Sequence, residues 1–126
     1  MRINYPGTDI KLYSGQTVNN IPYGYGTMYY KNGNKMYHGD WIDYYMQGKG
    51  IFYYENGNKQ YIGNFNNGNF DKYGTFYYRN KNIKYKGEIK DGLYNGYGTT
   101  YDKNGNKKRK GIWRNGNIKI SKKEKP

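Results

Sequence analysis

The one histidine, His38, and the nearby carboxylates Asp40 and Asp43 are the side chains that could open acid–base chemistry in this chain of 126 residues, which has no cysteine. General acid–base work needs a titratable pair in one pocket, and nucleophilic work needs an activated nucleophile. At a 24-residue offset His38 falls on Ser14, Ile62, Lys86 and Lys110, so its position reads as a solvent-exposed filler. Asp40 and Asp43 fall on Gln16 and Asn19, Asn64 and Asn67, Glu88 and Asp91, the chemistry of strand surfaces and turns. The Gly-x-Gly pairs, such as Gly24 with Gly26, lack the third glycine and the following helix that a dinucleotide fingerprint needs. Without cysteine there is no thiol catalysis, zinc ribbon or disulfide framework. The expectation is a chain that is not an enzyme, with no catalytic, cofactor or metal-binding residue.

Cations are the other chemically active group. The formal charge is +13, and residues 101–126 carry 10 basic against 2 acidic side chains, net +8, leaving +5 for the first 100 residues. Lys107, Lys108, Arg109, Lys110 and Arg114, with Lys119, Lys122, Lys123 and Lys125 of the tail, are therefore the candidates for an anionic surface. A bland reading stands beside this one. Lysine makes up 18 of the 22 cations and asparagine is equally frequent, a pattern that A/T-rich codon usage produces without a ligand.

The elements that must carry these residues follow from composition and period. There are 25 aromatics, 19 of them tyrosine, and 19 glycines, but only 18 Ile, Leu, Val and Met and no alanine. That is too little aliphatic material for an ordinary closed core, yet the regularly spaced rings are unlike a disordered chain. The rings repeat with a period of 24. Tyr13, Tyr37, Tyr61, Tyr85 and Arg109 align, as do Gly15, Gly39, Gly63, Gly87 and Gly111, and Thr17, Trp41, Phe65, Ile89 and Trp113. Further along each unit come Gly26, Gly50, Gly74 and Gly98, then Tyr29, Tyr53, Tyr77 and Tyr101.

Each unit reads as two strands, Tyr-x-Gly-x-aromatic and then the run from Gly-x-Gly. Asn32-Gly33, Asn56-Gly57 and Asn104-Gly105 between units are read as type I′ turns, and Asn80-Lys81 as a looser version. Asn67-Gly68, Asp91-Gly92 and Asn115-Gly116 are hairpin signals within units. With both joints tight, the expected fold is all-β, an antiparallel meander solenoid of about nine strands in a single-layer twisted sheet. Residues 1–12 form a lead and 13–118 the repeat domain, with full repeats at 13–36, 37–60, 61–84 and 85–108 and a half repeat at 109–118; 119–126 form a basic tail. Tyr29, Tyr53, Tyr77 and Tyr101 are expected to touch ring to ring along the solenoid.

The run Tyr37-x-Gly39-x-Trp41, followed by Gly48-x-Gly50 and an Asn-Gly turn, closely resembles the MORN repeat (membrane occupation and recognition nexus). The resemblance recurs in register four times, and the 24-residue spacing is similar to the bacterial variety of the repeat. Thr17, Tyr44, Lys72 and Arg109 depart from the pattern. The resemblance implies an elongated β-solenoid with an aromatic-lined groove. It also implies scaffolds for protein contact or self-association, and in some members association with acidic phospholipids.

Two binding readings compete. In the first, Tyr29, Tyr53, Tyr77, Tyr101, Trp41 and Trp113 contact a protein partner, or the sheet edges near Tyr13 and near Ile112 and Trp113 pair with a second copy. In the second, the basic C-terminal region rests on an acidic membrane. Nucleic acid is a third and weaker option, since the rings are already required by the repeat and no recognition module is present. No apolar stretch reaches the length of a membrane span or a signal-peptide core, so a cytoplasmic protein is expected, peripheral at the membrane under the second reading.

Overall fold

A computed structural model describes residues 1–121, with side chains described through Lys119; Lys122, Lys123 and Lys125 lie outside the described residues. The described chain is all strand and turn. In order it runs β1 (Arg2–Asn4), β2 (Lys11–Val18), β3 (Ile21–Tyr29), β4 (Lys35–Ile42), β5 (Tyr45–Tyr53), β6 (Lys59–Asn66), β7 (Asn69–Tyr77), β8 (Ile83–Lys90), β9 (Leu93–Tyr101), β10 (Lys107–Arg114) and β11 (Asn117–Ser121). Every strand pairs with the next, giving one 11-stranded antiparallel sheet in sequence order.

The two strands beyond the expected nine lie at the ends. The lead supplies β1, which sets Ile3 opposite Tyr13 and exchanges backbone hydrogen bonds between Met1 and Gly15. The Asn115-Gly116 turn brings β11 back onto β10, with Ile112 opposite Ile120. The strands of Tyr13 and of Ile112 and Trp113 are thus paired on both sides, and the open edges are those of β1 and β11.

Register aligns nine glycines abreast, Gly15, Gly26, Gly39, Gly50, Gly63, Gly74, Gly87, Gly98 and Gly111, across β2 to β10. Tyr13, Tyr37, Tyr61 and Tyr85 lie over this row and are fully buried. Each hydroxyl donates to the carbonyl three residues on, of Gln16, Asp40, Asn64 and Glu88, at 2.6, 3.0, 2.8 and 2.7 Å. A Cβ on Gly26, Gly50, Gly74 or Gly98 would occupy the space of a tyrosine hydroxyl and ring edge. Ring and glycine are one packing unit, in which the aromatic fills the volume that side chains leave. Burial raises the phenol pKa of Tyr37, Tyr61 and Tyr85 well above the ordinary tyrosine range, so these hydroxyls stay protonated donors.

Trp41, Phe65, Ile89 and Trp113 complete the core on the same face. Tyr37 meets Trp41 and Phe65 edge-on at 5.0 and 4.9 Å, and Tyr85 stacks on Tyr94 at 3.8 Å. Such pairs add roughly 0.5–1.5 kcal/mol each beyond area burial, which is how a chain poor in aliphatics holds together.

Tyr29, Tyr53, Tyr77 and Tyr101 form a different ladder from the expected one. Equivalent residues are two strands apart, about 10 Å, which is beyond ring contact. Their carbonyls instead accept hydrogen bonds from the hydroxyls of Tyr5, Tyr30, Tyr54 and Tyr78 at 2.6, 2.7, 2.6 and 2.7 Å, tying each repeat to the next.

The type I′ turns lie within the units, not between them as expected. Both central residues have positive φ, as type I′ requires, within units: Asn67-Gly68 (48° and 84°), Asp91-Gly92 (51° and 81°), Asn115-Gly116 (49° and 87°) and also Asp43-Tyr44 (47° and 73°). Between units only the glycine is left-handed, as at Gly33 (92°); Gly33 N–H donates to Tyr30 and Tyr30 N–H to Asn34, a type I turn closed by the glycine. The Asn80-Lys81 joint is no looser. Lys81 takes φ 81° and closes the same two bonds, to Tyr78 at 3.0 Å and from Tyr78 to Asn82 at 2.8 Å. Stacking enforces this, because the amides of Asn80 and Asn82 both donate to the Lys103 carbonyl, as those of Asn32 and Asn34 do to Glu55.

Lysine therefore holds a conformation that costs a non-glycine residue about 1–2 kcal/mol. Glycine would remove that cost while loosening the unfolded chain somewhat. Lys81→Gly is expected to raise stability by about 1 kcal/mol and lift the thermal midpoint; an unchanged or lower midpoint would show that the stacked turn carries no strain.

Candidate interaction face

The first glycine of each Gly-x-Gly does a different job from the second. Gly24, Gly48, Lys72 and Gly96 are left-handed (φ 89°, 72°, 64° and 98°), and the register slips beside them. These are β-bulges, which bend the strand and re-aim the residue that follows. The following residues are Tyr25, Lys49, Tyr73 and Tyr97. Side chains from the neighbouring strand tie the bulges down: Gln16 Oε1 accepts the Tyr25 N–H at 2.7 Å, Glu88 Oε2 accepts the Tyr97 N–H at 2.5 Å, and Asn64 Nδ2 donates to the Tyr73 carbonyl at 3.2 Å.

Strand alternation places these residues on the face opposite the core. Beside them runs a second row, in which Thr27, His38, Ile51, Ile62, Thr75, Lys86, Thr99 and Lys110 pair across the sheet. Between the rows lies an open groove of about 440 Å³, walled by Tyr25, Lys49 and Tyr73 on one side and by His38, Ile51, Ile62 and Thr75 on the other, over Gly39, Gly50, Gly63 and Gly74. Tyr25, Tyr73 and Tyr97 are 52%, 48% and 64% exposed. Sequence reading passed over these three rings. Their signal was the slot directly after the bulge glycine, which recurs with the period.

His38 is half-buried and hydrogen-bonded at both nitrogens, unlike the exposed filler expected. Tyr25 Oη lies 2.6 Å from Nε2 and Thr27 Oγ1 2.5 Å from Nδ1. Burial and then the Lys35 ammonium hold its pKa below the ordinary imidazole value. Among the described residues no carboxylate joins it: Glu88 is turned to a backbone amide, and Asp40 lies against the Gly48 bulge. Among the described residues no group of three His, Asp or Glu could hold a metal ion.

The rings read as partner contacts fall into two groups. Trp41 and Trp113 are core residues, 3% and 8% exposed, and their indole N–H groups donate to the carbonyls of Gly26 and Gly98 at 3.2 and 2.9 Å. Tyr53 is 9% exposed, whereas Tyr29, Tyr77 and Tyr101 are half-buried. The Lys11 ammonium sits over the Tyr29 ring at 4.2 Å. Of the cations, Lys107, Lys108, Arg109, Lys110, Arg114 and Lys119 are all exposed. Alternation divides them between faces: Lys110 stands in the interaction-face row, while Arg109 lines a groove with Trp113 and Ile118 on the core side.

A family model of the MORN repeat matches residues 13–35, 37–59, 61–83 and 85–107. No curated protein gives a significant match. Each matched segment opens on one of the buried tyrosines, Tyr13, Tyr37, Tyr61 and Tyr85, that rest on the glycine row, and the match covers most of the chain. The chain belongs to the MORN-repeat family, whose members are binding modules built from repeats.

Proposed function

We propose that this chain is a non-catalytic protein-interaction scaffold that takes its partner on the face bearing Tyr25, Tyr73 and Tyr97. The observation that carries the reading is the set of three half-exposed phenol rings on the face its own core does not use, two of which, Tyr25 and Tyr73, wall one groove with Ile51 and Ile62. Rigid aromatic anchors around partly apolar grooves supply most of the affinity at protein interfaces. The bulges fix the backbone that carries those rings, so little backbone entropy is lost on binding.

The test is capture of crosslinked proteins from the cell that makes the chain, with the wild type beside Tyr25→Ser/Tyr73→Ser/Tyr97→Ser. Losing three anchors at about 1 kcal/mol each weakens a specific partner about 100-fold while the unfolding temperature stays put. A partner retained by the folded triple variant would end this reading.

The exposed run Lys107–Lys110 favours a second reading, contact with an acidic lipid surface, at about 1 kcal/mol per cation. It predicts flotation with acidic vesicles at low salt, lost in Lys107→Ser/Lys108→Ser/Lys110→Ser. Flotation by neither form would remove it.

A further inference from the structure

Three copies of one motif stand on the interaction face: Tyr25-Gly26-Thr27, Tyr73-Gly74-Thr75 and Tyr97-Gly98-Thr99. They differ in what faces them. Opposite Thr27 stands His38, and opposite Thr75 and Thr99 stand Lys86 and Lys110. His38 Nε2 lies 2.6 Å from Tyr25 Oη, its Nδ1 lies 2.5 Å from Thr27 Oγ1, and its ring stands edge-on to Tyr25 with centroids 4.9 Å apart. No hydrogen bond within the described residues reaches the hydroxyl of Tyr73 or Tyr97. The same scaffold thus presents one phenol with a base and two without.

The proton positions follow from relative acidity. A phenol, with an ordinary pKa of about 10, is a far stronger acid than an aliphatic hydroxyl, so Tyr25 donates to Nε2 and the imidazole's own proton sits on Nδ1 towards Thr27. Removing an electron from a phenol makes its proton strongly acidic. A base already within hydrogen-bond reach takes that proton as the electron leaves, which avoids the high-energy radical cation.

We propose that Tyr25 is the preferred one-electron oxidation site on this face, its proton passing to His38 Nε2 as its electron passes to an external one-electron oxidant such as photogenerated ruthenium(III) or the ferryl haem of a peroxidase. The products are a neutral Tyr25 phenoxyl radical and a His38 imidazolium, which returns the proton to water. Two such radicals on two copies of the chain form a bond between ring carbons ortho to the oxygens. The hydrogens on those carbons then move to the oxygens and restore both phenols. In sum, two tyrosines become one dityrosine, and two electrons and two protons leave.

The charged and titratable groups around His38 are Lys35 and Asp40 on its own strand, Tyr25 on β3, and Lys49 and Tyr53 on β5. None is a carboxylate hydrogen-bonded to the imidazole, so His38 is the group whose protonation switches the effect. It accepts a proton only while neutral. The advantage at Tyr25 is therefore present at neutral pH and lost only on acidification below the ordinary imidazole range, because burial and the Lys35 ammonium hold the His38 pKa down.

The full chain is illuminated with tris(bipyridine)ruthenium(II) and persulfate, and dityrosine is located by peptide mass spectrometry. At neutral pH the yield at Tyr25 is expected to exceed that at Tyr73 and at the more exposed Tyr97. In His38→Ile, which installs the residue found at the equivalent Ile62, the Tyr25 yield falls to parity with theirs. At about pH 4, well below the ordinary imidazole value, the wild type shows the same loss at Tyr25 with the Tyr73 to Tyr97 ratio unchanged. Equal yields in the wild type, or a Tyr25 preference that survives both His38→Ile and acid, would overturn the proposal. The acid arm needs no variant, so misfolding of His38→Ile leaves the test intact.

Discussion

Gly74→Ala is expected to lower stability by about 3 kcal/mol or more, a large part of the total stability of a domain of this size. Gly74 has no positive φ, so its backbone would accept alanine freely, and the whole cost is steric. The new methyl would enter the hydroxyl and ring edge of Tyr61. That ring cannot step aside. Its hydroxyl bonds the carbonyls of Asn64 and Tyr73 at 2.8 and 3.2 Å, and Phe65, Phe70 and Phe76 crowd it with centroids at 5.2, 4.5 and 4.7 Å. Gly116→Ala is the control: nothing lies within 4 Å of its added carbon, and its φ of +87° costs only about 1 kcal/mol. Trimming the ring with Tyr61→Leu should absorb most of the Gly74→Ala penalty, so the two losses fall well short of adding. Urea unfolding of the four proteins measures the cycle. A Gly74→Ala loss inside the usual surface range of about 0.5 kcal/mol would mean that the rings do not rest on the glycine row.

Sheet order, register and this glycine row were legible because each is a property of the 24-residue period: a glycine two residues after Tyr37, Tyr61 and Tyr85 can only repeat that way if hairpins stack. What escaped is what the period does not encode. Ile3 lies outside the repeats, so β1 left no periodic trace, and β11 left only the Asn115-Gly116 turn that leads into it. Asn32-Gly33 and Asn67-Gly68 are the same dipeptide in two turn types; the flanking strand register, set by a bulge elsewhere, decides between them. Lys81 shows the same dominance of context, since stacked amides from Asn80 and Asn82 hold a turn that lysine alone disfavours. The interaction face was missed for a related reason. Tyr29, Tyr53, Tyr77 and Tyr101 drew notice as an unbroken column, whereas Tyr25, Tyr73 and Tyr97 share theirs with Lys49. Exposure comes with the bulge before them, which appears in sequence as a glycine with two meanings before Tyr25 and Tyr97 and as a lysine before Tyr73. His38 was discounted because Ser14, Ile62, Lys86 and Lys110 fill its slot, yet unlike residues in one slot are how a repeat protein makes one repeat different from the next.

Deleting residues 61–84 is expected to leave a folded, shorter sheet that is less stable by on the order of 3 kcal/mol. The deletion joins Gln60 to Tyr85, and every lost partner has a replacement in register. β5 would meet β8 with Phe52 opposite Tyr85 in place of Tyr61, and Gly50 opposite Gly87 in place of Gly63. Tyr54 would donate to the Tyr101 carbonyl in place of Tyr77, and Asn58 to Lys103 in place of Arg79. The loss exceeds a bare repeat because Phe65, Phe70 and Phe76, three of the four phenylalanines, go with it, and Ile89 must fill the place of Phe65 against Tyr37. Deleting only 61–72 removes half as much chain and should do more harm. Tyr73 then takes the slot of Tyr61 and Thr75 the slot of Gly63, so a β-branched side chain lands opposite Gly50 where only hydrogen fits. Circular dichroism and thermal unfolding should show a cooperative sheet for the longer deletion and none for the shorter, and the reverse order would break the repeat logic. The longer deletion also removes Tyr73 and brings Tyr25 and Tyr97 closer by two strand spacings, about 10 Å. A partner that reads the spacing of those rings is lost from a protein that still folds, whereas a partner held by β10 alone stays bound, and that difference separates groove recognition from attraction to the basic strand.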